Sequence, residues 1–338
     1  MKSQIKPICG NERVKLAQVV PLESPFSIFI FPTTFCNFKC NYCGHSLGHA
    51  KMRELYGFSP MTMEMPVYRK TIEQIAQFPD RLKMLSLTGH GEPLMNPRIS
   101  DMVAYAKKSG VAERIEIISN GALLTKEKAI QLDEAGLDII RISLQGLSSE
   151  KYEQVCSVRI DFEALVDTIR YFYENRKKCE IFVKIMDIAL GDGEEQKFYD
   201  LFGDISDRMH VELCKPVYEG VNYENVTTDT DRYGNESKKR DVCPLCFYML
   251  SVFPNGDVVP CDSIYKPVLL GNVSDATLLD MWKGETLRRF RIMHLKRKRY
   301  DNAKCSVCCA PDDVSHKEDV LDDDASGLLL KFDEGCRT

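Results

Sequence analysis

Six short apolar runs of strand length, separated by stretches with helical periodicity, constrain this chain more than any other feature. The runs are SIFIF (Ser27–Phe31), LKMLSLT (Leu82–Thr88), RIEIIS (Arg114–Ser119), LDIIRISL (Leu137–Leu144), EIFVKIMDI (Glu180–Ile188) and HVEL (His210–Leu213). Between them lie YRKTIEQIAQF from Tyr68, ISDMVAYAKKSG closing on Gly110, TKEKAIQLDEAG closing on Gly136, and FEALVDTIRYFYENR from Phe162. Thr125 is placed to cap one helix, and Gly110 and Gly136 to stop two others. Strands alternating with helices build an α/β fold on a parallel sheet, curled or open, with its functional end at the strand C-termini. A length of 338 residues suits one large α/β domain, or a medium domain plus a small one.

Side chains alternate faces along a strand. In the fourth run Ile140, Ile142 and Leu144 oppose Arg141, Ser143 and Gln145; in the fifth, Ile181, Val183 and Ile185 oppose Phe182, Lys184 and Met186. In the sixth, Val211 and Leu213 oppose His210, Glu212 and Cys214. One face suits a helix layer, and the other is repeatedly polar. Burying Arg141, Lys184 and Glu212 unpaired would cost several kcal/mol each, on the order of what desolvating any charge costs. The expectation is therefore an open lumen lined with polar groups. Within it Lys184, His210 and Glu212, with Asp187 at a strand end, are placed to grip a substrate's hydroxyl, amino or phosphate groups.

A formal net charge of -5, from 45 Lys+Arg and 50 Asp+Glu, argues against a nucleic-acid partner held by bulk positive charge. No run approaches the length of a membrane span, and Lys6, Glu12, Arg13 and Lys15 interrupt the first twenty residues. The expectation is a cytoplasmic protein without a membrane partner. Its 14 cysteines then read as reduced thiolates rather than disulfides. Cys36, Cys40 and Cys43 form one set, and Cys243, Cys246, Cys261, Cys305, Cys308 and Cys309 another; Cys9, Cys156, Cys179, Cys214 and Cys336 stand apart.

Cys36-x3-Cys40-x2-Cys43 directly follows the first strand. Three thiolates on one short loop can hold three irons of a [4Fe–4S] cube and leave the fourth open. A structural zinc wants four ligands. The segment CNFKCNYC resembles the radical S-adenosylmethionine (radical SAM) superfamily, in which an aromatic residue, here Tyr42, precedes the last cysteine. LTGHGEP, at the end of the second strand, is similar to that family's Gly-Gly-Glu segment, with His90 inserted between Gly89 and Gly91. The resemblance implies a partial (β/α)6 TIM-like barrel, a first [4Fe–4S] cluster on Cys36, Cys40 and Cys43, and SAM as cofactor. It implies SAM contacts at Tyr42, Gly89, Gly91, Glu92, Ser119, Asn120, Ser143 and Gln145, with Glu92 pairing the SAM ammonium. The glycines let backbone approach a ligand, and the polar residues can bond ribose hydroxyls or a carboxylate. His45, His49 and His90 read as loop histidines. In the loop after the fourth strand, Arg159 is a candidate partner for the SAM carboxylate.

In the second set, CPLCFYMLSVFPNGDVVPC reads as strand, Asn255-Gly256 turn, strand, cysteine. LLGNV, a helix holding Trp282 and Cys305-x2-Cys308 follow. Four thiolates there suit zinc or a second cube, and spacing does not decide between them. The pattern resembles the abbreviated SPASM, or "twitch", extension of radical SAM enzymes, close in layout to that of the aminocyclitol dehydrogenase of butirosin biosynthesis. That implies one auxiliary [4Fe–4S] cluster, fully held by Cys243, Cys261, Cys305 and Cys308, with Cys246 an alternative ligand and Cys309 a spare. The basic run from Arg288 to Arg299 reads as a solvated helix face, matched by a tail with seven acids between Asp312 and Asp324.

The expected domains are a lead-in (1–27), the barrel (28–215), a polar linker (216–242), the auxiliary domain (243–311) and an acidic tail (312–338). The resemblance implies cleavage of SAM to a 5′-deoxyadenosyl radical that takes hydrogen from a substrate, with an electron donor such as flavodoxin or ferredoxin. The favoured substrate is a polar small molecule, a sugar, nucleotide sugar or aminocyclitol, because fewer than thirty residues precede the first strand and leave no room for a peptide-recognition domain. Oxidation of an alcohol with the auxiliary cluster as electron acceptor is the leading expectation. The alternatives are a peptide-modifying enzyme, an epimerase using Cys214 or Cys156 as hydrogen donor, and a two-site zinc-binding module.

Overall fold

The computed structural model describes residues 2–7, 13–223, 226, 229–313 and 316–334, so Cys9 and Cys336 lie outside the described residues. Ten strands form one sheet: β1 (Gln4–Ile5), β2 (Ser27–Ile30), β3 (Met84–Leu87), β4 (Ile115–Ser119), β5 (Ile139–Leu144), β6 (Glu180–Met186), β7 (Arg208–Glu212), β8 (Met249–Val252), β9 (Asp257–Val259) and β10 (Gly271–Asn272). Their order is β1-β7-β6-β5-β4-β3-β2-β8-β9-β10, and β2 to β7 are the six expected strands, all parallel. This is the mixed α/β fold with a curled parallel sheet that the alternation implied.

The helices form for the reasons the sequence offered. Thr125 caps its helix by accepting from the Lys128 amide at 3.1 Å, and Gly110 ends another in the left-handed region at φ 64°. On the outer face Ile28, Leu85, Ile117, Ile140, Ile142, Ile181 and Val183 are fully buried under the helix layer. Burying an aliphatic side chain of this kind stabilises the fold by roughly 1.5–3 kcal/mol.

Two features depart from the expected boundaries. The two-residue strand β1, inside the lead-in, pairs in parallel with β7. The hairpin of the second cysteine set joins the barrel sheet: β8 pairs in parallel with β2, Phe29 opposite Ser251. Both cysteine sets therefore flank one strand, β2, with Cys36 following it and Cys243 preceding its neighbour β8.

The inner face is polar, as expected, but its charges are paired. Arg141 meets Glu116 at 2.7 Å, and Glu116 also accepts from Ser86 Oγ at 3.0 Å. Lys184 meets Glu212 at 2.7 Å, both buried. The premise that these charges lie unpaired in an open lumen is thus corrected. Each neutralises a neighbour on an adjoining strand, which removes most of the cost of burying it.

Candidate active site

The loop carrying the first cysteine set is fixed from three sides. Lys39 and Asn41 donate their amides to the carbonyls of Cys156 and Val155 at 3.0 and 2.8 Å, and the Glu92 amide donates to the Phe35 carbonyl at 2.8 Å. Phe38, 1 % exposed, packs edge-on against Tyr152. The Phe38 amide points at Cys36 Sγ, 3.5 Å away. Burial pushes the Cys36 thiol up to about 12 and the Cys40 thiol well above its usual range, so these sulfurs ionise on exchanging protons for metal.

Gly89 and Gly91 are required by close packing as well. A Cβ on Gly91 would lie 2.4 Å from the Thr33 carbonyl oxygen, and one on Gly89 (φ 146°) 2.4 Å from the Phe31 ring. These glycines seat the second-strand motif against the cysteine loop; no side chain fits there. Glu92 follows at once, 2 % exposed. It accepts from Ser119 Oγ and the Asn120 amide, both at 2.7 Å, and from the Leu94 amide at 3.0 Å. A carboxylate has about four acceptor positions, so roughly one is left. Burial pushes this carboxyl up against those three donors. A cation at the remaining position relieves that cost.

Ser119 also accepts from the Gly121 amide, and Asn120 donates to Asn37 Oδ1 at 2.8 Å and accepts from Ala122. Both side chains are thus tied into the strand ends. Gln145, 3 % exposed, donates to the half-buried Tyr42 hydroxyl at 3.4 Å, and its Oε1 has no partner among the described residues. Ser143 lies beside Lys184 in register, half-buried on the inner face. Arg159 is exposed and pairs with Glu150 and Glu153, so it does not face the site.

Of the four substrate-side candidates, Lys184 and Glu212 are the ion pair already described. Burial alone would raise the Glu212 carboxyl, but Lys184 and then Arg232 hold it down to about 2. Asp187 accepts through one oxygen, Oδ1, from the amides of Cys214 and Ile188 at 2.8 and 2.9 Å. His210 lies next to Lys184 in register, and its Nε2 has no partner among the described residues. Cys214 is 2 % exposed, and Cys156 donates to the Tyr152 carbonyl within its own helix at 2.8 Å.

Cys243, Cys246, Cys261, Cys305 and Cys308 line one cavity with His294. Cys309 turns away toward Asp313. Arg299, 2 % exposed, organises the rim: its guanidinium donates to the carbonyls of Cys305 (3.3 Å), Cys308 and Arg240 (2.6 Å) and pairs with Asp312 at 3.1 Å. Asn302 caps the Cys305 turn, accepting from its amide at 3.1 Å. Arg291, 6 % exposed, donates to the Cys246 carbonyl at 2.9 Å and lies 4.0 Å over Trp282. The basic run is therefore not simply a solvated face; two of its arginines build this cavity.

No three His, Cys, Asp or Glu side chains among the described residues converge closely enough to share one metal ion. Zinc would need its sulfurs drawn to about 2.3 Å. A cube takes one thiolate per iron and spreads its ligands further apart, which fits three cysteines at the first set and four of five at the second.

The segment read as a linker begins as a strap between the two sets. The Tyr218 ring packs on Gly44, where a Cβ would be 3.0 Å away, and its hydroxyl adjoins the Cys43 thiol. Tyr223 donates to the Tyr42 carbonyl at 3.1 Å, and the Glu219 amide donates to the Tyr265 hydroxyl at 3.0 Å. His90, read as a loop histidine, completes the link. Burial pushes its imidazole down to about 4, so it is neutral. Its Nε2–H donates to the Asp262 carbonyl at 2.7 Å, beside Cys261, and its Nδ1 accepts from Tyr218 at 3.3 Å. Sequence reasoning missed Tyr218, Arg299 and His294; the insertion of His90 into the glycine motif was the one visible signal.

Two family matches cover most of this architecture. Residues 30–201 match the radical SAM superfamily, and residues 243–309 match SPASM, an iron–sulfur cluster-binding domain. The chain is 23% identical over 334 residues to the tungsten-containing aldehyde ferredoxin oxidoreductase cofactor-modifying protein of Pyrococcus furiosus, covering 84% of this chain and 87% of that one. Its fold is similar to that of BtrN, solved with AdoMet and 2-DOIA (TM-score 0.54, 18% identity, 84% of this chain and 92% of BtrN). It is also similar to Streptococcus suis SuiB, solved with its precursor peptide SuiA (TM-score 0.62, 17% identity, 82% and 69%).

Proposed function

The chain belongs to the radical SAM superfamily and carries a SPASM iron–sulfur domain, and on that premise we propose that it oxidises an alcohol of a polar small molecule: a sugar, nucleotide sugar or aminocyclitol. Cys36, Cys40 and Cys43 hold the SAM cluster, and Cys243, Cys261, Cys305 and Cys308 the auxiliary one, with Cys246 the alternative ligand. When bound, SAM and its cluster supply a radical that removes a hydrogen atom from carbon, and the auxiliary cluster supplies a sink for the electron left behind. The remaining position on Glu92 takes the SAM ammonium, and Gln145 Oε1 and Ser143 face its polar groups.

The observation that carries the reading is the polar inner face. Arg141 pairs with Glu116 and Lys184 with Glu212, with Arg232 beside Glu212, so the face presents paired hydrogen-bonding groups, which suits hydroxyls and amines. His210 is neutral, with burial lowering its pKa, and can take the hydroxyl proton. Cys214 and Cys156 have no part in an oxidation. A one-electron donor of the flavodoxin or ferredoxin type supplies the first cluster.

The test is turnover in heavy water with the purified two-cluster protein. The expected product is two mass units lighter than the substrate, as loss of two hydrogens requires, and Cys214→Ala keeps that activity. A product of unchanged mass that gains solvent deuterium, and fails to form in Cys214→Ala, would instead establish an epimerase. Modification of peptides alone would establish the peptide-modifying alternative.

A further inference from the structure

His294 stands inside the auxiliary cavity without being one of the expected ligands. It lies on the helix Glu285–Leu295 and is completely buried. Its Nδ1 accepts a hydrogen bond from the Cys243 amide at 3.3 Å, and its Nε2 lies 3.9 Å from Cys305 Sγ. Phe290, one turn earlier, packs edge-on against the ring with centroids 4.8 Å apart and fixes its plane.

The amide contact decides the tautomer. A backbone N–H only donates, so Nδ1 carries the lone pair and the proton of the neutral ring sits on Nε2. That proton faces the Cys305 sulfur. His294 is thus arranged to donate to a thiolate, while its other nitrogen is fastened to the backbone of a second ligand. Two buried cations adjoin the same cavity: Arg291 near Cys246, and Arg299 near Cys305.

We infer that His294 is a positioning residue for the auxiliary cluster: its Nε2–H hydrogen-bonds the Cys305 thiolate and, with Arg291 and Arg299, raises the cluster's reduction potential. One added electron makes the cluster sulfurs more negative, so an N–H donor and nearby cations stabilise the reduced form more than the oxidised one. A raised potential favours transfer of an electron from a substrate radical to this cluster. Only that direction of electron flow rests on the proposed oxidation; the hydrogen bond and the potential do not.

The test is an anoxic EPR redox titration of the full two-cluster protein as wild type, His294→Phe and His294→Gln. The auxiliary signal is identified as the one that persists when Cys36, Cys40 and Cys43 are replaced by Ala. With iron content unchanged, His294→Phe is expected to shift the reduction equilibrium about tenfold toward the oxidised form, about 59 mV for a one-electron couple. The side-chain amide of His294→Gln is expected to restore most of that shift. Pulsed EPR of wild-type protein with ¹⁵N-labelled histidine is expected to show one weakly coupled nitrogen at the auxiliary cluster, and it decides the matter if His294→Phe does not fold. A midpoint that stays put or rises in His294→Phe overturns the proposal. So does a His294→Gln midpoint no different from that of His294→Phe, the strong coupling of a directly ligated nitrogen, or no coupling at all. Failure to oxidise any small molecule would sink the functional reading and leave these outcomes unaffected.

Discussion

Glu92 joins three parts of the fold through one carboxylate and is proposed to take the SAM ammonium at its remaining acceptor position. Replacing it with Ala would orphan the donors of Ser119, Asn120 and Leu94, at about 1–3 kcal/mol for each buried unmet group. Glu92→Gln keeps the shape and removes the charge: its amide oxygen can still accept from Ser119 and Leu94, and the bond lost inside the fold is the one from the Asn120 amide. A charge-assisted hydrogen bond is worth roughly 1.5–3 kcal/mol, about ten- to a hundredfold in affinity. Anoxic calorimetry should therefore show SAM binding to Glu92→Gln weakened by that factor, with iron content unchanged. Unaltered affinity would leave Glu92 as a brace between β3 and β4 and nothing more.

Arg299 braces the second cysteine set and His90 links the two sets, and each makes a prediction. Arg299 holds both carbonyls of the Cys305–Cys308 turn, so Arg299→Leu leaves the Cys308 carbonyl without this donor and the Asp312 carboxylate without its cation. Breaking one side of a buried pair costs about 3–5 kcal/mol. Iron analysis should fall from about eight per chain to about four by the two-cube assignment, with SAM cleavage retained; eight irons in Arg299→Leu would contradict the role given to Arg299. The His90 link predicts a pH effect. Its imidazole sits at about 4 when folded and at about 6.5 unfolded. It thus binds fewer protons folded than unfolded between those values. Its contribution to stability is complete above about 6.5 and is lost as pH falls toward about 4. His294 and His45 shift in the same direction, so the comparison must be with His90→Gln. The fall in thermal midpoint from pH 7.5 to 5.5 should be smaller in that variant, and an equal fall would show that His90 is not held neutral.

At the scale of the whole molecule, the parts written locally were legible in the sequence. The six parallel strands follow from runs of Ile, Val and Leu, and the two cysteine sets from spacing along one loop and along a hairpin with a later Cys305-x2-Cys308. What the sequence hid is what folding brings from far away. His294 and Cys243 are 51 residues apart, Arg299 and Arg240 59, and Tyr218 and His90 128. Each looks like an ordinary loop or surface residue until the sheet curls. Strand alternation placed Lys184 and Glu212 on one face but could not show that they pair, because register between strands is set by the fold. The tie from the Asp187 carboxylate to the Cys214 amide, 27 residues away, was hidden for the same reason.

The central claim is that SAM cleavage at the first cysteine set is coupled to a two-electron oxidation whose electron leaves through the second. It is tested most directly by mass balance in a pool of sugars, nucleotide sugars and aminocyclitols incubated with the two-cluster protein, SAM and a one-electron reductant. The account predicts that one compound is consumed, that its product is two mass units lighter, and that 5′-deoxyadenosine forms in equal amount. It further predicts that product formation, but not SAM cleavage, is lost with Cys261→Ala. A product of unchanged mass, or full product formation in Cys261→Ala after its auxiliary iron is gone, would contradict it.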